Sequence, residues 1–85
     1  MYTVWLDPIE QILDSLDDKQ AESILAQLDS WAQRIQLERR NVPRFYSIAP
    51  LNCQDYRGIE CLVDHKYQSI IPLAFLPKPF DNPLG

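Results

Sequence analysis

The spacing of apolar positions along the chain changes twice, and each change predicts a change of element. Tyr2-Thr3-Val4-Trp5-Leu6 is a short aromatic and β-branched run, which predicts a first strand. Ile9, Ile12, Leu13 and Leu16 then recur at i, i+3, i+4 and i+7, one stripe of a short helix. Asp7-Pro8-Ile9-Glu10 supplies its start, with Asp as N-cap, Pro at the first helical position and Glu three residues beyond the cap. Asp17-Asp18 ends that helix and caps a second, in which Ala21, Ile24, Leu25, Leu28, Trp31, Ala32 and Ile35 keep the helical spacing from about Asp18 to Glu38. From Arg44 onward the pattern is that of strands: Arg44–Ala49, Tyr56–Val63 and Ser69–Phe75, separated by Pro50-Leu51-Asn52 and Asp64-His65-Lys66. Ile59, Cys61 and Val63 face one way and Glu60 and Asp64 the other, which predicts an antiparallel sheet with one wet side. Pro72 lacks a ladder donor and calls for a bulge or a sheet edge, and Pro77 to Gly85 reads as an extended tail. The expected fold is α+β: an N-terminal strand and an αα-hairpin packed on a small, mostly antiparallel sheet, in the order β-α-α-β-β-β and as one domain over residues 1–85.

Composition narrows the class. With 46% hydrophobic and 24% charged residues in 85, the chain is an ordinary globular domain, not a disordered one. No apolar run approaches the roughly 18 residues of a membrane span, and Met1-Tyr2-Thr3-Val4 lacks the basic start of a signal peptide, so the cytoplasm is the expected compartment. The net charge of −4 counts against generic nucleic-acid binding. It is unevenly spread. Residues 1–33 hold seven acids and one base, Lys19, whereas the basic excess further on sits in Arg34, Arg39, Arg40 and Arg44. A negative end and a positive patch on one small body favour a charged partner on one side.

Candidate chemistry is sparse. Cys53 and Cys61 read as reduced, partly buried thiols; a zinc site would have to combine them with His65 and a carboxylate such as Asp64, without any paired C-x-x-C, so no metal or cofactor is expected. With Gly58 and Gly85 the only glycines, a phosphate-cradling loop is excluded, and no nucleophile elbow or metalloprotease pair is present. What remains is a set that can meet on the polar sheet face and its rim: Tyr46, Tyr56, Arg57, Glu60, His65, Lys66, Tyr67 and Lys78. A metal-free ribonuclease needs a base for the 2′-hydroxyl, an acid for the leaving oxygen and cations for the phosphorane, and these residue types supply them. The same residues also have ordinary uses. His65 serves as a solvated turn residue, Arg57 and Lys66 as strand charges, the tyrosines as amphipathic sheet residues, and the arginine cluster as a complement to the negative end of the second helix.

Three stretches carry a resemblance. Leu13-Asp14-Ser15-Leu16-Asp17-Asp18-Lys19, followed by Ala21, Ile24-Leu25, Leu28 and Trp31, is similar to the helical segment of the phage-derived, HigB-like branch of the RelE/ParE toxin superfamily. Gly58-Ile59-Glu60 resembles the start of that branch's central strand, and Ile71-Pro72-Leu73-Ala74-Phe75-Leu76-Pro77-Lys78 its closing strand. The resemblance spans nearly the whole chain. It departs at Cys61 and Leu62, where the family commonly has arginine after the glutamate, at Tyr67-Gln68-Ser69, where a tyrosine-arginine pair is usual, and at Pro77-Lys78 in place of a lysine pair.

The resemblance implies a toxin-like protein of a toxin-antitoxin or phage system acting as a ribosome-dependent mRNA interferase, a metal-free endoribonuclease. In that reading Arg57, Lys66 and Lys78 bind phosphate, Glu60 or His65 takes the proton, and Tyr56 or Tyr67 orients the scissile bond; an antitoxin covers Arg34, Arg39, Arg40 and Arg44. The alternative is a non-catalytic inhibitor or adaptor on the same scaffold that occupies a host protein through its acidic end or its arginine patch. A third reading is a subunit whose apolar hairpin completes a homodimer.

Overall fold

In a computed structural model, which describes residues 1–38 and 41–79, the fold is α+β. The elements run β1 (Thr3–Val4), a 3-10 turn (Asp7–Ile9), α1 (Glu10–Ser15), α2 (Asp18–Leu37), β2 (Arg44–Pro50), β3 (Tyr56–Asp64) and β4 (Ser69–Pro77). The sheet order is β1-β4-β3-β2, with β1 parallel to β4 and the other pairs antiparallel. Arg39 and Arg40, and residues 80–85 of the predicted tail, lie outside the described residues; Pro77 itself belongs to β4.

The two helix starts differ from one another. Asp17 caps α2 as its sequence predicts, its carboxylate accepting from the Gln20 amide at 2.7 Å. Asp7 does not cap α1. Pro8 winds Asp7–Ile9 into a 3-10 turn closed by the Ile9 amide on the Leu6 carbonyl, and α1 begins only at Glu10, without a side-chain cap. The hairpin therefore has one six-residue arm and one twenty-residue arm.

The core lies between the helices and one face of the sheet. Ile9, Leu13, Ile24, Leu28, Trp31, Ala32 and Ile35 meet Ala49, Ile59, Cys61, Val63, Ile70 and Phe75. Leu25, expected on the same stripe, is exposed: at twenty residues the stripe is narrower than its spacing suggests. A pair of reciprocal hydrogen bonds ties the β2–β3 loop to α2. The Asn52 amide donates to Gln27 Oε1 at 2.6 Å, and Gln27 Nε2 donates to the Asn52 carbonyl at 3.2 Å.

Two bulges shape the strands. Glu60 pairs with Ala74 but Cys61 with Pro72, so Leu73 is the extra residue of β4; Pro72, which cannot donate, sits at the irregularity. Buried Pro72 and Phe75 enclose exposed Leu73 and Ala74, two successive side chains on the face away from the helices. The second shift lies between Tyr56 and Gly58. Tyr56 stacks on Phe75 at 4.7 Å on the core side, and the bulge frees Arg57 to leave that side. Gly58 is required here. A Cβ would meet Ile48 Cγ2 at 2.7 Å and the Ala49 carbonyl oxygen at 2.9 Å, so the close crossing of β2 and β3 leaves no room for a side chain.

Candidate functional site

The face of the sheet away from the helices is the candidate site, and it is not the charged surface that alternation predicts. Arg44, Tyr46 and Ile48 of β2, Glu60, Leu62 and Asp64 of β3, and Ile71, Leu73, Ala74 and Leu76 of β4 alternate with the core positions and so share this side. Tyr46 is 54% exposed, Leu73 44% and Ile48 40%, with Leu62, Ile71 and Leu76 half-buried between them. This is a mainly apolar face with a charged rim.

Of the sequence-predicted catalytic residues, the structure brings Arg57 and Glu60 together, and adds Tyr46. Tyr46 pairs directly with Leu62, one diagonal step from Glu60. Partial desolvation and then the neighbouring Glu60 carboxylate raise the pKa of the Tyr46 hydroxyl, while the nearby Arg57 charge works the other way. A phenol and a carboxylate thus share one corner with an exposed guanidinium nearby.

The other candidates lie elsewhere. His65 is not a solvated turn residue: it is half-buried, packed against Phe45 at 5.2 Å and edge-on to Tyr2 at 5.7 Å. Its Nδ1 is hydrogen-bonded to the Tyr2 hydroxyl at 2.5 Å and its buried Nε2 has no partner, so neither nitrogen is presented to the outer face. Lys66 and Tyr67 form the β3–β4 turn, the ammonium 5.5 Å from the tyrosine ring centre. Asp64 organises that turn. Its Oδ1 accepts from the Lys66 amide at 2.9 Å and the Tyr67 amide at 3.0 Å, its Oδ2 from Arg44 Nε at 2.8 Å, and Gln68 turns the chain with a φ of 51°. The Tyr67 amide above all, with Arg44 and the Lys66 amide, holds the Asp64 carboxyl below its usual 3.8 against the opposing desolvation. Arg44 is therefore held by Asp64 at one end of the face.

The remaining binding candidates are scattered. Arg34 lines a shallow cleft with Ser23, Gln27 and Pro50 on the helix side. Tyr56 belongs to the core margin, and Lys78 follows β4, its amide on the Asp55 carbonyl. Cys53 and Cys61 are both thiols, and burial pushes the Cys61 thiol up to about 12. Among the described residues no group of His, Cys, Asp and Glu could hold a metal ion. No helix among them is long and apolar enough to cross a membrane.

Ile48, Leu62, Ile71 and Leu73 are the site residues that sequence reasoning overlooked. A signal was present: Ile70-Ile71-Pro72-Leu73-Ala74-Phe75-Leu76 does not alternate, which marks a strand apolar on both faces. Comparison with protein-family models, curated proteins and solved structures found no match to this chain.

Proposed function

We propose that the chain is a protein-binding module on a toxin-like scaffold, which lays the outer face of its sheet against a segment of a protein partner. The observation that carries this reading is the apolar surface that runs across three neighbouring strands, from Tyr46 and Ile48 across Leu62 to Ile71 and Leu73. The partner presents apolar side chains to that surface and polar groups to the Arg57–Glu60 corner. In a toxin-antitoxin or phage setting, it is an antitoxin or the host protein that the module inhibits.

A second reading is metal-free phosphodiester cleavage at the same corner. It is favoured by Tyr46, Glu60 and Arg57 lying together: Glu60 takes the 2′-hydroxyl proton, Arg57 meets the phosphate and Tyr46 protonates the leaving oxygen. Against it stands the cation count. Arg44 is paired with Asp64, and Lys66 and Lys78 belong to the β3–β4 turn and to the segment after β4.

The test uses a photo-crosslinking residue at position 73 in cells, with one at Asp14 as control, followed by reconstitution of the captured complex from purified components. Leu73→Asp is expected to weaken the complex by about tenfold or more, and Arg57→Ala by less than about threefold. The reading is overturned if the chain arrests growth with new mRNA ends that Glu60→Gln abolishes and Leu73→Asp leaves in place.

A further inference from the structure

The sheet has two edges, and among the described residues only one is protected. On the β1 side the edge strand is two residues long, and beyond Ile70 the exposed margin of β4 carries Pro72 and the Leu73 bulge, both of which spoil a template for another strand. On the other side lies β2, seven residues with nothing paired beyond it among the described residues. Between Arg44 and Pro50 it has no charge, no proline and no bulge.

The direction of its backbone groups follows from two hydrogen bonds. The Leu51 amide donates to the Arg57 carbonyl at 3.0 Å and the His65 amide to the Pro43 carbonyl at 2.7 Å, so the odd-numbered residues of β2 bond to β3. The N–H and C=O groups of Arg44, Tyr46 and Ile48 therefore point away from the sheet. Pro50, also even-numbered, gives up only an outward donor, which is why it is tolerated there.

We infer that β2 is the contact between two copies of this chain, paired antiparallel about a two-fold axis at Ser47 to give a continuous eight-stranded sheet. In that register Tyr46 lies opposite Ile48 of the second copy on the outer face, an aromatic and β-branched pair, and their outward N–H and C=O groups bond reciprocally. Arg44 lies opposite Pro50 of the second copy, so the only charge on the strand never meets its own mate. On the core side the margin opens into a cleft beside Pro50, lined by the small Ser23, Ala26 and Ser30 together with the longer Gln27 and Arg34. Since the opposite edge is short and broken, pairing closes at two copies and does not propagate. The hydrogen bonds of this contact lie on the strand's margin and need no partner on the outer face, to which Tyr46 and Ile48 contribute their side chains.

Sedimentation and light scattering from about 1 to 500 µM test it, with expected growth from 9.9 kDa to twice that mass. Ile48→Pro removes only an outward donor, so it is expected to weaken association by about tenfold or more while leaving the circular dichroism spectrum unchanged. In the unmutated chain, amide exchange at Tyr46 and Ile48 should slow with concentration, while Ser47 and Ala49, already bonded to β3, stay slow throughout. A single 9.9 kDa species at every concentration overturns the inference, as does a dimer in which Tyr46 and Ile48 exchange at unchanged rates, or a species larger than two copies.

Discussion

The core face and the outer face of the sheet use the same kinds of side chain to opposite effect. Ile59, Val63 and Ile70 are fully enclosed on the helix side, whereas Ile48, Ile71 and Leu73 look out from the other side of the same sheet, with no helix over them among the described residues. The helices suffice for one side only: with α1 six residues long and α2 twenty, the chain can cover one face of four strands and no more. Residue type alone thus does not decide burial in so small a domain. The number of layers decides it, and the second side is left open.

Substitutions on the two sides should show this difference, and the largest effect belongs to the core. Ile59→Ala, at the centre of β3, is expected to cost about 2–5 kcal/mol in denaturant unfolding, a large part of the about 4–13 kcal/mol available to a domain of this size. An intermediate effect belongs to Asp64, the one buried acid among the described residues. Because its folded pKa lies below the usual 3.8, the stability it contributes is present above that value and is lost as pH falls through the folded one. Asp64→Asn should flatten the acid limb of the stability profile, and an unchanged limb would separate the turn from the carboxylate. The smallest effect is at Leu73, where Leu73→Ser should change stability by no more than about 0.5 kcal/mol. A loss as large as that of Ile59→Ala would mean that the outer face is as enclosed as the core.

Much of the fold was legible because local chemistry and packing agree. The stripe from Ile24 to Ile35, the Asp17 cap and the irregularity at Pro72 each follow from a few neighbouring residues. Asp7 was misleading because the proline that favours a helix start here winds a 3-10 turn first. The site was less legible for a different reason: which charges converge depends on strand register and bulges. Arg57 reaches the outer corner through a bulge, and His65 turns inward because Tyr2, sixty-three positions earlier, is brought beside it by β1. No spacing rule within one strand contains either fact.

The parallel pairing of Thr3 with Ser69 and Val4 with Ile70 also bears on how the chain is made. As the chain leaves the ribosome, β1 has no strand to join until β4 has been synthesised, whereas the greasy stripe of the long helix can already meet β2 and β3. The strand made after the other three is thus the one that joins the earliest of them to the rest of the sheet.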